Sequence, residues 1–223
     1  IARCSRKAAA SVRSAARDLR SVSVECSTIS EDGRRVMYTW LMTDAKPTGV
    51  QGLPREIELP EDGVLRIKPL KELESLRYDE ISYEDKTISK GLSFLLDKVE
   101  GDAVELEIVF EAPLSKEFGI NMLGNEKGNE ELNITYGKGQ KVLRIGKINP
   151  PFGLNDCEDL TLRIFIDKNL IEVFANDRQA AVVSHVSIRK NPNIKIFTKD
   201  KDLVVKEIHA WKMKSIYDLN SGY

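Results

Sequence analysis

The sequence predicts an all-β fold: a two-sheet antiparallel β-sandwich, jelly-roll or concanavalin-like, with a short helical or irregular N-terminal appendage. Short runs rich in Ile, Val and Phe recur along the chain between turns of Gly, Asn, Asp and Lys, which is typical of antiparallel strands. Residues 103–111 alternate between apolar and mostly acidic side chains, so one face should pack and the other carry charge. Residues 162–177, LRIFIDKNLIEVFAND, add two apolar strands around a polar turn.

Predicted strands cover most of the chain after residue 34. In order they are 35–42, 55–59, 64–69, 81–88, 93–99, 103–111, 118–123, 131–136, 141–145, 160–166, 170–175, 180–186, 193–198 and 203–213. Their short, regular spacing favours an all-β sandwich. The best helical segment of this region is 69–77, where Leu70, Leu73 and Leu76 recur at three-residue spacing.

The hairpin at 160–175 contains one acidic residue in an apolar strand. Glu172 stands between Ile171 and Val173, and alternation places it on the opposite face from both. Its carboxylate can therefore point to solvent or across to a partner strand. We expect Phe174 on the inner face between the two sheets.

Three motifs follow one another along the chain. EDGRRVMYTWLM spans 31–42, LPREIEL spans 53–59 and is followed by Pro69-Leu70 and KELESLR, and the hairpin contains R-x-x-x-D-x-N-x-x-E-V-F-x-N-D from Arg163. In this order they resemble the C-terminal module of glycoside hydrolase family 32, the invertase, levanase and inulinase family. The resemblance covers about 29–211. Thr39 and Arg178 stand where the family pattern has glycine, and Asn169 stands where it has serine.

The resemblance implies a β-sandwich that packs against a five-bladed catalytic propeller. Retaining glycosidases need two carboxyl groups about 5 Å apart, and the family draws its acids from N-D-P-N-G, R-D-P and E-C motifs. This chain has no N-D-P-N-G, and Arg17-Asp18 is followed by Leu19. Glu25-Cys26 matches E-C but directly precedes the blade strand, where an exposed strand glutamate beside a buried thiol is the competing interpretation. We therefore predict no catalytic residue in this chain.

The resemblance also indicates which residues face the propeller. Leu53, Pro54, Arg55 and Glu56 would form the domain junction, where the Arg55 guanidinium could bind a carboxylate or carbonyl bidentately. The alternative is a surface neighbourhood of Arg55 and Glu56 that contributes little. Trp40 matches a family tryptophan near the fructose pocket and could stack on a sugar, or be buried or interfacial.

Composition points to an ordinary globule without a cofactor. The net charge is −1, no apolar run is long enough to span a membrane, and the mixed surface gives no nucleic-acid footprint. Cys4, Cys26 and Cys157 are odd in number and form no C-x-x-C, so we expect reduced or buried thiols, which favours a cytoplasmic over a secreted setting. His185 and His209 have no metal-site spacing, and Trp211 is expected in the core.

Three segments are expected: a basic appendage or leader at 1–28, a remnant of the blade strand and linker at 29–52, and the sandwich at 53–217. For 1–28 we expect a helix packed on the sandwich or a residual piece of a larger domain, a leader, or a targeting or partner-binding segment. The preferred function is an accessory domain whose partner is the missing propeller, or a fructan- or sucrose-type carbohydrate. The alternative is a stand-alone lectin-like sandwich, and a degenerate protein without a ligand is a third option. A homo-oligomer fits either of the first two.

Overall fold

Three antiparallel sheets make up the part of the chain described by the structure, a computed structural model, namely residues 22–42, 49–124, 132–184 and 192–216. Their strands are β1 (Val22–Ile29), β2 (Arg35–Met42), β3 (Gly49–Gln51), β4 (Arg55–Glu58), β5 (Arg66–Pro69), β6 (Arg77–Ile88), β7 (Ser93–Leu95), β8 (Ala103–Phe110), β9 (Phe118–Met122), β10 (Leu132–Gly137), β11 (Val142–Ile145), β12 (Leu160–Asp167), β13 (Leu170–Ala175), β14 (Gln179–Ser184), β15 (Lys195–Thr198) and β16 (Leu203–Met213). Short 3₁₀ helices span Lys71–Leu76 and Lys138–Gln140.

Two of the sheets form the predicted sandwich. A six-stranded sheet, in the order β14-β13-β12-β8-β16-β6, faces a five-stranded sheet, in the order β11-β10-β9-β15-β7. Their inner faces meet in the main apolar core, to which Leu106, Ile108 and Ile164 contribute from the first sheet and Ile120 and Ile134 from the second. The all-β sandwich expected from the strand spacing is confirmed.

A third sheet, here called the N-terminal sheet, contains β1 to β5. Strands β1, β2, β4 and β5 lie side by side, and β3 also pairs with β2. The sequence-based boundary at residue 53 therefore falls inside one sheet, because β4 and β5 pair with β2 and each other rather than with either sandwich sheet. Residues 22–28, expected as helical or irregular, belong to strand β1, and its pairing with β2 explains the difference. Residues 1–21 lie outside the described part.

The N-terminal sheet packs on the outer face of the six-stranded sheet. A second apolar cluster joins the two and contains Leu65, Ile67, Leu73, Leu76, Phe165, Phe174 and Ala180. The expectation that Phe174 lies between the two sandwich sheets is wrong, although its burial was anticipated. Ile171, Val173 and Ala175 face the main core, so alternation places Phe174 on the same outer face as Glu172.

The predicted helical segment is a 3₁₀ helix. Leu70, Leu73 and Leu76 were expected on one face, and all three belong to or pack against the second cluster. A 3₁₀ helix has three residues per turn, so side chains at three-residue spacing eclipse one another. The leucine spacing of this sequence therefore suits a 3₁₀ helix better than an α-helix.

Two of the three cysteines lie in the described part of the chain. Cys26 and Cys157 are exposed and unpaired, so of the two expected states of these thiols, reduced or buried, the buried one is wrong. Cys4 and His185 lie outside the described residues. Within the described ranges no three His, Cys, Asp or Glu side chains form a group that could hold a metal ion. None of the helices in those ranges is long and apolar enough to cross a membrane.

Candidate domain-junction site

The acidic residue of the hairpin meets the arginine of the LPREIEL motif. Glu172 projects from β13 toward the N-terminal sheet and is 3% exposed, and Arg55, at the start of β4, is 6% exposed. Arg55 Nη2 donates to Glu172 Oε2 over 2.6 Å. The arginine thus joins the N-terminal sheet to the sandwich of the same chain, through one terminal nitrogen rather than a bidentate fork, and its Nε has no partner in the described part of the chain. The expected contact of Arg55 with a propeller stays a prediction.

The second oxygen of Glu172 binds the backbone. Leu53 N–H donates to Glu172 Oε1 over 2.7 Å. Gly52 makes this approach possible, because a β-carbon there would lie 3.4 Å from Glu172 Oε1 and only 2.5 Å from Thr39 Oγ1. The carboxylate therefore holds both the start of β4 and the chain that leads into it.

The pair is enclosed by apolar and polar side chains together. The Arg55 guanidinium carbon lies 5.4 Å from the ring centroid of Phe174, within cation–π range. Thr39, at the position of a family glycine, is 6% exposed, and its hydroxyl oxygen has no hydrogen-bond partner among the residues described. The ion pair is therefore buried among apolar and polar side chains, and solvent screens it little.

The neighbouring motif residues surround this pair. Pro54 accepts a hydrogen bond from Leu70 N–H over 3.0 Å through its carbonyl, and Leu53 packs against the second cluster. The Glu56 carboxylate lies 3.4 Å from Arg34 and 3.2 Å from Lys68, so it pairs within the N-terminal sheet and not with Arg55. The LPRE segment thus links β2, β5 and the sandwich.

Trp40 lies on the N-terminal sheet away from this buried pair. It stands in β2 between Val24 of β1 and Gln51 of β3, and its side chain is 45% exposed. A β-carbon on Gly49 would overlap the indole ring, so the glycine allows the ring to lie against the backbone of β3. The structure brings Trp40 to an open surface of the N-terminal sheet, and the option of burial within this chain is wrong.

Sequence reasoning missed a second buried carboxylate on the same outer face. Glu105 of β8 is 0% exposed, although charged residues of this strand were expected in solvent. Arg77 donates to it over 2.8 and 2.7 Å, and Arg163 over 3.0 and 2.6 Å. Two signals could have identified this triad of Glu105, Arg77 and Arg163. Both arginines occur in the family-like motifs, and alternation places Glu105 on the outer face.

Aromatic rings extend this triad. The Arg77 guanidinium carbon lies 4.0 Å from the Trp211 ring centroid, and His209 stacks on Trp211 with centroids 5.5 Å apart and planes at 8°. Trp211 is thus half-buried on the outer face, and the expectation that it belongs to the core is wrong. Burial acts to lower the pKa of Arg77, but its hydrogen bonds and attraction to Glu105 outweigh this effect and raise the pKa.

Comparison with known proteins shows which proteins this chain resembles. The sequence model of the family described as glycosyl hydrolases family 32, C terminal, matches residues 72–212. Raffinose invertase of Escherichia coli is 28% identical over 84% of this chain and 41% of its own length. Levanase of Bacillus subtilis (strain 168) is 24% identical over 84% of this chain and 32% of its own length. The chain thus spans less than half the length of these relatives.

Solved structures agree on the fold. The crystal structure of fructan 1-exohydrolase IIa from Cichorium intybus superposes with a TM-score of 0.70 at 16% identity, over 87% of this chain and 48% of that one. Sucrose-6-phosphate hydrolase from Lactobacillus gasseri gives a TM-score of 0.67 at 24% identity, over 87% and 42% of the respective chains. At this level of identity the likeness is one of architecture.

Proposed function

The chain belongs to glycoside hydrolase family 32 as a C-terminal domain of that family, and on this premise we propose that it is an accessory β-sandwich of an enzyme acting on sucrose or fructans. The proposed partner is a catalytic propeller, and the proposed role of this domain is to support that propeller rather than to hydrolyse the glycosidic bond. The names of the relatives, an invertase and a levanase, support this substrate class.

The buried Arg55–Glu172 pair is the observation that carries the proposal. It joins the LPRE segment to the sandwich through a 2.6 Å contact between two buried side chains. Breaking such a pair leaves an uncompensated buried charge, so the N-terminal sheet is held in one orientation on the sandwich. A sheet held in one orientation can support a neighbouring domain.

The open side of the N-terminal sheet is the proposed contact with the propeller. Trp40 is an exposed large apolar side chain on this side of the sheet. An aromatic residue at a domain contact combines large buried area with few rotatable bonds. We place the functional boundary near residue 70, so that β1 to β5 act as the connection and the strands after them as the sandwich.

Association with a propeller tests this proposal. The propeller part of Escherichia coli raffinose invertase, produced without its own C-terminal domain, would be co-expressed with this chain, and co-purification measured. We expect a stable complex, and we expect Trp40→Ala to weaken it roughly tenfold through loss of buried aromatic area.

Leu92→Ala provides the matched control, because Leu92 is also exposed but precedes a strand of the five-stranded sheet. It should leave association unchanged. The proposal fails if both partners fold and do not associate, or if the two variants weaken the complex equally.

A further inference from the structure

Strand β1 is a free edge of the N-terminal sheet. It pairs with β2 on one side, and no strand of the described residues pairs with its other side. The strand is eight residues long, Val22–Ile29, and contains a single charged residue, Glu25. An edge strand presents a row of unpaired backbone N–H and C=O groups, to which another extended strand can bind. A long edge with little charge therefore favours strand pairing.

The other sheet edges in the described part of the chain are protected against such pairing. Strand β6 contains six charged residues, β5 contains two cations and a proline, and β7 is only three residues long. Strand β11 is bridged to the chain that follows it, at Ile148 and Pro151. Strand β14 is buried along residues 179–182. Charge, proline, short length and cover are the usual means of blocking an edge, and β1 is the one described edge that lacks all four.

The side chains of β1 leave both faces of the strand accessible. Over residues 26–29, the part of the strand whose side chains are described, every residue is exposed. Cys26 lies opposite Tyr38 in the register with β2, on the side of the sheet that carries Trp40. Ser27 lies opposite Met37, on the side that meets the sandwich. Both faces are therefore open to solvent, as expected where a sheet can be extended.

A second copy of this chain can supply the added strand, because β1 can pair with itself in an antiparallel arrangement. Most homo-oligomers are symmetric, and in a two-fold dimer both copies use the same surface. Residues opposite each other in a sheet point to the same face, so a residue of β1 must face itself or a residue an even number of positions away. The middle of β1 falls between Glu25 and Cys26, so the two best-centred registers place one of these residues opposite its own copy.

Charge selects between these two registers. With Glu25 on the two-fold axis, two carboxylates would stand directly opposite each other, which is unfavourable. With Cys26 on the axis, Glu25 lies opposite Ser27 of the second copy and Val24 lies opposite Thr28, so no like charges meet. Residues 23–29 then pair along the edge, and the two N-terminal sheets become one continuous sheet.

We propose that two copies of this chain associate through β1 as a two-fold symmetric dimer with Cys26 at its centre. A single pair of strands buries less surface than a standard protein interface, so the dimer is weak and reversible. This inference does not rest on the proposed function. The propeller contact uses the open side of the sheet around Trp40, whereas the dimer uses the edge of the same sheet.

Sedimentation of the full chain under reducing conditions, over a wide range of concentrations, tests this inference. The parent should pass from monomer to dimer as the concentration rises. Cys26→Lys and Cys26→Asp each place like charges opposite each other on the axis, so each should weaken the dimer roughly fivefold. An equimolar mixture of the two variants should associate again, because a cation of one copy then faces a carboxylate of the other.

Cys157→Lys and Cys157→Asp provide the matched control, because Cys157 is also exposed but lies outside the N-terminal sheet. These variants should dimerise as the parent does, whether alone or mixed. A short bismaleimide that links two thiols checks the register independently. In the double variant Cys4→Ser, Cys157→Ser it should join Cys26 to its own copy, whereas in Cys4→Ser, Cys26→Ser it should leave the chain unlinked.

The melting temperature of each variant shows whether it is folded, since only folded variants bear on the inference. The inference is overturned if the folded parent stays monomeric, if neither charge at position 26 weakens the dimer, or if the mixture does not associate again. A monomer whose β1 amides resist hydrogen exchange also overturns it, because another segment of the chain then covers the edge. Association with the truncated propeller is measured through Trp40, so either result can fail while the other stands.

Discussion

At the scale of single residues, the outer face of the six-stranded sheet buries two carboxylates, Glu105 and Glu172. Removing a carboxylate from water costs several kcal/mol, which good geometry must offset. Arg77 and Arg163 surround Glu105, whereas Arg55 and one backbone N–H hold Glu172. Glu105 thus depends on several donors, and Glu172 depends on one side chain.

Arg55→Leu is therefore expected to lower the free energy of unfolding by about 3 kcal/mol, because it leaves the Glu172 carboxylate buried without its cation. Replacing both residues with Leu should cost less than Arg55→Leu alone, since no buried charge remains. Urea denaturation measures both differences. The matched control is Arg66→Leu, which removes an exposed pair with Asp62 and should cost about 1 kcal/mol or less. Equal losses in the two single variants would contradict the assigned role of Arg55.

A second residue-scale prediction concerns Asp200. Hydrogen bonds hold the pKa of this carboxyl below its ordinary value. The largest effect comes from the Ser115 hydroxyl, followed by the backbone N–H groups of Glu117 and Lys116. Because the pKa of Asp200 is lower in the folded than in the unfolded state, its ionisation stabilises the fold. This contribution is complete above the pKa of the unfolded state, about 4, and is lost as the pH falls through the pKa of the folded state.

Asp200→Asn should therefore lower the melting temperature at pH 7, and the difference from the parent should narrow below about pH 4. Thermal unfolding followed at pH 7 and pH 3 provides the comparison. Glu61→Gln, at an exposed acid, serves as the control and should change little at either pH. A difference that widens on acidification would contradict the assignment.

At the scale of elements, local patterns predicted the strands well and their partners less well. The predicted strand 170–175 agrees with β13, but its two faces are both buried, so alternation alone could not say which face met the other sandwich sheet. This explains the misplaced Phe174. Strand β4 is only four residues long, and nothing in REIE distinguishes pairing with β2 from pairing with a sandwich strand.

Phe174→Ala should cost about 3 kcal/mol, because it removes a fully buried ring from the cluster under the N-terminal sheet. Hydrogen exchange would show where the loss acts. Amides of β4 and β5 should exchange faster, while those of β9 and β10 change less, since the ring does not line the main core. Leu59→Ala is the control, as an exposed position worth about 0.5 kcal/mol or less. Faster exchange confined to the five-stranded sheet would instead indicate that Phe174 lies between the two sandwich sheets.

At the scale of the whole molecule, the fold class and the family followed from strand spacing and from motif order. Arg55 and Glu172 were each singled out from the sequence, but their pairing was not predicted, because they lie 117 positions apart in the chain. Sequence spacing cannot reveal such a pairing, since it arises only when β4 docks on β13. Glu105 was missed for the same reason, because its two arginines come from β6 and β12.

The central proposal is that this chain supports sugar hydrolysis by a partner rather than performing it. Fructose release from sucrose and levan measures this most directly, for the chain alone, for the truncated propeller of Escherichia coli raffinose invertase alone, and for both together. We expect no release by the chain alone, more release by the mixture than by the propeller alone, and a smaller gain with Arg55→Leu. Fructose released by the chain alone would contradict the account.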